Sequence, residues 1–304
     1  MKLCIIGYGS FGSALSGLWG DKFDEISAWR FREVKKLEDG CVQNIQFCST
    51  IYEAVKDVDV ILISTASIGV DDVVHHMKQA NLKDGQIILT ATKGIDVKTH
   101  RTMSEIVKDN IPSARVIVFS GPTFSHEIKE GLPVFSTIAS EHNEVLDFLY
   151  DLLFIPKKMI LYKSNDVKGV ELIGALKNIV VVLSGFMDAI KLGISAKGAV
   201  ISLFFAELVN ICYSLGGKPE TLLGISGVGD LLTSCSSDLG RNYKYGYMIG
   251  MGLSMDDIII KIGKITEGIK TLEAAYMIKN KLNLFSPILD GLYNLVYNSG
   301  EVSE

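Results

Sequence analysis

The sequence predicts an α/β chain: a doubly wound parallel sheet with helices on both faces, followed by an all-helical C-terminal domain. Three observations carry this reading of the 304 residues. Up to about Ser164, short apolar runs alternate with helical stretches, the signature of a doubly wound sheet. From Asn165 onward β-type runs vanish and long helical patterns take over. The first apolar run also stops abruptly at three glycines and resumes as a helix.

The strand candidates, in order, are Leu3 to Ile6, Ile26 to Trp29, Val58 to Ser64, Gln86 to Ala91, Val116 to Phe119, Val134 to Ala139 and Lys158 to Tyr162. Helical patterns follow at Asp166 to Leu192 and Ala196 to Leu215, with a short one at Val228 to Cys235. The last three run from Asn242 to Met251, Glu267 to Lys281 and Pro287 to Tyr297. This divides the chain into a dinucleotide-binding domain over 1–164 and a helical substrate domain over 165–304, with the active site expected between them at the carboxyl ends of the strands.

The glycines give the first domain its chemistry. After Leu3-Cys4-Ile5-Ile6 comes Gly7-Tyr8-Gly9-Ser10-Phe11-Gly12, spaced G-x-G-x-x-G, and then a helical pattern. Gly7 allows the tight turn, Gly9 lets backbone approach a pyrophosphate, and Gly12 lets the helix pack closely on the strand. The helix N-terminus offers N–H groups and a positive dipole end to phosphates. A second apolar run lies at the right distance, so the fold reads as Rossmann-type; a glycine-rich turn without a ligand is the bland alternative. The second strand ends in Ala28-Trp29-Arg30-Phe31-Arg32, with no acid until Glu33. A carboxylate there would hold the ribose hydroxyls of NAD, whereas a guanidinium suits the 2′-phosphate of NADP. Arg30 and Arg32 therefore favour NADP(H), or a site that takes NADP(H) and NAD(H) alike, unless both are merely solvated.

The second domain holds a charge in an unexpected place. Val170, Ile173, Gly174, Lys177, Val181 and Ser184 recur at helical spacing along Gly169 to Met187, and all but Lys177 are small or apolar. Loss of water favours the neutral amine and suits Lys177 to give and take a proton. The competing account is a lysine that snorkels to the helix edge.

Net charge is −5 with both signs interspersed, so nothing points to nucleic acid. The five cysteines, Cys4, Cys41, Cys48, Cys212 and Cys235, form no C-x-x-C pair and read as reduced thiols of a cytoplasmic protein. The N-terminus passes straight into a strand, so no signal peptide is expected. The two most apolar helical stretches carry Lys177 and Glu207 in their middles and read as core helices, with no membrane insertion. The histidines belong to no metal-spaced set, and no metal is expected.

The series of motifs resembles a known family. Besides the glycine turn it comprises Ala91-Thr92-Lys93-Gly94, Gly121-Pro122-Thr123-Phe124, Gly174-Ala175-Leu176-Lys177-Asn178, Gly229-Asp230-Leu231, Arg241-Asn242 and Thr266-Glu267-Gly268. In this order and spacing, from Lys2 to about Tyr297, it looks like bacterial NAD(P)-dependent glycerol-3-phosphate dehydrogenase. The resemblance implies reversible hydride transfer between NAD(P)H and dihydroxyacetone phosphate, giving sn-glycerol 3-phosphate for glycerophospholipid synthesis. It implies that Lys177 is the general acid, that Asp230 lies in the substrate site and that Lys93 lies near cofactor and substrate; the Asp230 carboxylate is then expected to orient the lysine ammonium. Arg241 and Asn242 would hold the substrate phosphate beside Gly240, while Asn178, Gly121 and Thr123 line the substrate site. Ser10, Phe11, Ser125, Ile265 and Glu267 fall where the family places dinucleotide contacts, to which Arg241 and Lys93 are added.

Each role has a bland counterpart. Lys93-Gly94 is also an ordinary strand exit, an isolated Asp230 can cap or pair on a short helix, and Arg241-Asn242 can be a solvated helix start. The chain also departs from the family pattern. A usual Val-Pro-Ser is Thr65-Ala66-Ser67, an expected asparagine is Ser195, an arginine and glycine are Leu203 and Phe204, and a serine is Gly240. The chain stops soon after Tyr297, short of the helical tail that family members often carry. Two other readings stay open: a related hydroxyacid dehydrogenase of the phosphogluconate or hydroxyisobutyrate type, and a protein that senses NADP(H) without turnover. A homodimer is left open as the assembly.

Overall fold

The computed structural model describes residues 1–31 and 45–297. Contacts divide the chain into two compact units, Met1–Lys93 with Thr102–Val167, and Gly94–Arg101 with Lys168–Glu304. The second unit thus takes in a short segment from the N-terminal half, whose Ile95 is buried in the helical core.

The first unit runs β1 (Lys2–Ile6), α1 (Ser10–Trp19), β2 (Glu25–Trp29), β3 (Ile45–Phe47), α2 (Ile51–Ala54) and β4 (Val60–Ile63). It continues with α3 (Val70–Lys78), β5 (Ile87–Thr90), α4 (Met103–Asn110), β6 (Arg115–Ser120), α5 (Ser125–Lys129), β7 (Val134–Ala139), α6 (Asn143–Leu153) and β8 (Met159–Ser164). The strands form one eight-stranded sheet in the order β3-β2-β1-β4-β5-β6-β7-β8. Both faces are covered, as a strand of continuous apolar residues requires. Leu3 and Ile5 belong to one buried cluster while Cys4 and Ile6 belong to another. Burial pushes the Cys4 thiol up to about 12, so it stays a packing group.

Two features differ from the sequence reading. The three-residue β3 was not expected, because so short a run carries no periodicity. The sheet is also not wholly parallel: β7 runs antiparallel to β6, and β8 is parallel to β7. Strand direction depends on the connection. The five-residue α5 spans only ~7.5 Å. It is too short to carry the chain back along a six-residue strand of ~20 Å.

The second unit holds α7 (Val167–Ala189), α8 (Ile194–Ser214), α9 (Pro219–Leu222), α10 (Asp230–Cys235), α11 (Arg241–Gly250), α12 (Met255–Ile262), α13 (Glu267–Lys281) and α14 (Pro287–Tyr297). Helix α7 is its axis, buried all round from Gly169 to Gly185, so the stripe carrying Lys177 is one side of a core helix. Helix α11 lies directly on it. A Cβ on Gly246 would stand 1.8 Å from the Val182 carbonyl, and one on Gly185 would stand 2.1 Å from that of Tyr243. Only glycine permits that approach.

Helix α8 corrects an expectation. It is apolar enough to pass for a core helix, yet only 17% of its most apolar window is buried, against 94% for α7. It packs through Phe204, Phe205, Leu208, Ile211 and Cys212, while Ile194, Leu203 and Tyr213 lie exposed. Composition recorded how apolar the helix is, not which side of it has a partner.

Candidate active site

In the first unit, β1 delivers the glycine turn. Gly7 has φ +96°, and its N–H bonds the Trp29 carbonyl at 2.8 Å, so the turn is tied to the end of β2. A Cβ on Gly7 would collide with Thr65, and one on Gly12 would lie 2.9 Å from the Gly7 carbonyl. Gly9 is different: it caps α1, and a Cβ there would meet nothing within 4 Å. Gly7 and Gly12 are glycines because the protein crowds them, whereas space stands open at Gly9. With no acidic residue in the first turn of α1, the turn fits a dinucleotide pyrophosphate. Ser10 opens the helix, and Phe11 packs towards Phe119 at 6.3 Å between ring centres.

At the end of β2 the Arg30 guanidinium lies 4.9 Å above the Phe47 ring. Arg32 lies outside the described residues. Phe31 sets its edge against Trp29 at 4.6 Å and remains exposed. Where the family proline is replaced, Ala66 keeps φ −67°, the value a proline ring would impose.

Beyond β5 and β6 lies a second group. Lys93 donates to the Gly121 carbonyl at 2.9 Å, and the Thr123 hydroxyl donates to the same oxygen at 3.3 Å. Gly121 must be glycine, because a Cβ would stand 2.8 Å from the Phe135 carbonyl. Ser125 begins α5 two residues after Thr123.

In the second unit the centre is Lys177, whose side chain is 6% exposed. Its Nζ donates to Asp230 Oδ1 at 3.0 Å and to Ser234 Oγ at 2.5 Å. Burial disfavours the charged amine while the carboxylate favours it, so the loss of water expected from sequence is opposed by a buried counter-charge. Asp230 and Ser234 sit one turn apart on α10, and the Ser234 hydroxyl also reaches Asp230 Oδ1 at 3.4 Å. Sequence reasoning missed Ser234. The i, i+4 spacing from Asp230 was its available signal. The π-type turn Ile225–Gly229 that delivers α10 depends on Gly227, where a Cβ would stand 1.8 Å from the Leu222 carbonyl.

A chain of amide hydrogen bonds starts beside Lys177. Asn242 Nδ2 donates to Asn178 Oδ1 at 3.0 Å, and the Gly268 N–H donates to Asn242 Oδ1 at 3.0 Å. The residues after Lys177, Arg241 and Glu267 are thereby linked, with α7, α11 and α13 held in register. Arg241 itself is exposed, at the start of α11, behind a Gly240 cap that makes no side-chain bond. Glu267 opens α13 with its carboxylate 3.9 Å from Lys270, and Ile265 is 38% exposed just before it.

Comparison with known proteins decides what these three groups belong to. The N-terminal model of NAD-dependent glycerol-3-phosphate dehydrogenase matches residues 2–146, and its C-terminal model matches residues 166–304. The chain belongs to the NAD-dependent glycerol-3-phosphate dehydrogenase family. A glycerol-3-phosphate dehydrogenase of Brachyspira hyodysenteriae, named for NAD(P)+, is 33% identical over 99% of this chain and 94% of its own length. The namesake from Clostridium tetani is 32% identical over 97% and 88%. The crystal structure of glycerol-3-phosphate dehydrogenase from Coxiella burnetii superposes with a TM-score of 0.91 at 26% identity, covering 98% of this chain and 94% of that one. A ketopantoate reductase from Ralstonia eutropha shares only the fold, at a TM-score of 0.64 and 15% identity. Glycerol-3-phosphate dehydrogenase is thus favoured over the related hydroxyacid dehydrogenases and over a sensor.

Proposed function

We propose that this chain catalyses reversible reduction of dihydroxyacetone phosphate to sn-glycerol 3-phosphate with NAD(P)H, and so supplies glycerophospholipid synthesis. One observation carries the reading: a buried lysine ammonium held by Asp230 and Ser234 in a chain that also carries an open dinucleotide turn. Bound NAD(P)H supplies the hydride. Reduction of a ketone builds negative charge on its oxygen, and a fixed ammonium is suited to stabilise that charge and deliver the proton. Lys177 is the general acid in this direction and the base in reverse. Asp230 and Ser234 fix its Nζ, so the proton leaves from a defined place. Lys93, anchored on the Gly121 carbonyl, adds positive charge, and Arg241 takes the substrate phosphate through its planar fork.

Asn178, Asn242 and Gly240 complete the substrate side, with Gly121 and Thr123. The cofactor side is assigned to Gly7, Gly9, Ser10, Phe11, Gly12, Arg30, Arg32, Lys93, Ser125, Arg241, Ile265 and Glu267. Residues 1–164 serve as the dinucleotide-binding domain and 165–304 as the substrate domain. We place the protein in the cytoplasm and read it as a homodimer, the pairing supported by the exposed apolar side of α8, where Ile194 is 91% and Leu203 62% exposed. The test of function is absorbance at 340 nm with dihydroxyacetone phosphate, run separately with NADH and NADPH. Oxidation of either cofactor that depends on this substrate supports the assignment, and its absence with both refutes it.

A further inference from the structure

NADPH and NADH differ by one phosphate on the adenosine ribose, so an enzyme that prefers one must hold something firm at that point. Arg30 stands at the end of β2, where the cofactor reading places it against the 2′-phosphate, and it is half-buried. A long arginine side chain left free loses rotamer freedom when it closes on a phosphate, and that loss subtracts from affinity. Here the side chain is already held. Its guanidinium carbon lies 4.9 Å from the centre of the Phe47 ring. An aromatic face attracts the cation without using its N–H groups as hydrogen-bond donors to an oxygen.

The ring that provides this platform is itself fixed from two sides. Phe47 ends β3 and pairs with Ala28 of β2, two residues before Arg30, while the Cys48 N–H bonds the Ala28 carbonyl at 2.9 Å. The pairing of Phe47 with Ala28 sets the ring beside the point where the chain leaves β2 at Arg30. From the other direction Tyr8 meets the Phe47 ring edge-on, 5.2 Å between centres at 88°. Tyr8 lies inside the glycine turn, and its hydroxyl is 3.0 Å from Ser16 Oγ on α1. Phe47 is 38% exposed, so the ring stays partly open to solvent while it makes these contacts.

We propose that Phe47 is a positioning residue for cofactor choice: its ring, braced by Tyr8 and the β2–β3 pairing, holds the Arg30 guanidinium for the 2′-phosphate and so favours NADP(H) over NAD(H). The proposal rests on the reading that Arg30 meets that phosphate, and it adds a residue that acts through Arg30. Loss of the ring removes an attraction that at an exposed site is worth about twofold to fivefold in affinity. NADH has no 2′-phosphate for Arg30 to hold.

The experiment compares Phe47→Leu, Phe47→Trp and Arg30→Ala with wild type. Dissociation constants for NADPH and NADH come from the fluorescence of the bound reduced cofactor, and catalytic efficiencies with each are measured alongside. Phe47→Leu should lower the NADPH to NADH affinity ratio about twofold to fivefold by weakening NADPH alone, and Phe47→Trp should keep the ratio. Arg30→Ala should lower it further, and adding Phe47→Leu to Arg30→Ala should move it no more. If Arg30→Ala shifts the ratio and Phe47→Leu does not, or if Phe47→Leu weakens both cofactors equally, the role of Phe47 is overturned while that of Arg30 stands. A ratio unmoved by Arg30→Ala overturns both.

Discussion

Tyr243 donates its phenolic hydrogen to Asp188 Oδ2 at 2.8 Å, tying the first turn of α11 to the last turn of α7. Lys197, at the start of α8, donates to the same oxygen at 2.5 Å, so a single carboxylate joins three helices. Burial alone would raise the Asp188 carboxyl, but the bonds from Lys197 and Tyr243 together bring it below its ordinary value. Burial and the Asp188 bond push the Tyr243 phenol up to about 12. A carboxyl depressed by folding contributes stability that is present above its unfolded value of about 3.9 and is lost as pH falls through the lower folded value. Asp188→Asn should therefore lower the melting temperature at pH 7 and flatten its decline below pH 4. Melting curves from pH 7 to pH 3 check this, and an unchanged slope in the variant contradicts it.

The glycine turn separates a ligand's needs from the protein's own. Gly9→Ala places its Cβ in open space at φ −101°, so it should cost at most about 1 kcal/mol as a weaker cap while weakening dinucleotide binding. Gly12→Ala drives its Cβ to 2.9 Å from a backbone carbonyl and should cost about 1–3 kcal/mol of stability. Thermal melts and cofactor titrations of both variants give the answer. Gly9→Ala binding NADPH as tightly as wild type would remove the pyrophosphate from that turn.

The substrate phosphate is assigned to Arg241. Arg241→Lys keeps the charge and loses the fork, so the KM for dihydroxyacetone phosphate should rise markedly, with cofactor affinity less affected. Gly240 has φ −64° and room for a Cβ, so Gly240→Ser fits without strain. The added hydroxyl should cap α11 and lower that KM. Unphosphorylated dihydroxyacetone should be a poor substrate, because binding energy from the phosphate drives orientation. Equal efficiency with and without the phosphate removes Arg241 from this role.

Much of this was legible in the sequence, and the gaps have physical causes. Seven strands and the helices bearing Lys177, Arg241 and Glu267 showed in hydrophobic periodicity, which burial imposes on the chain. The direction of β7 did not, because periodicity is the same read either way. Ser234 was missed since a hydroxyl is informative only beside its partner, and Lys177 reaches it across 57 positions of sequence. The exposed side of α8 was hidden for the opposite reason: an apolar residue looks the same in sequence whether its partner is the chain's own core or another surface.

The account rests most heavily on Lys177 as proton donor, and turnover by Lys177→Met tests it most directly. Methionine keeps the volume of the stem but leaves Asp230, 3% exposed, as a buried charge without its ammonium, at about 3–5 kcal/mol of stability. Circular dichroism and an NADPH titration must therefore confirm that the variant is folded and binds cofactor, and Lys177→Met with Asp230→Asn relieves the stranded charge if it is not. With folding established, turnover of dihydroxyacetone phosphate should fall on the order of 10²–10⁴-fold in both variants. A folded Lys177→Met enzyme turning over at close to the wild-type rate contradicts the account.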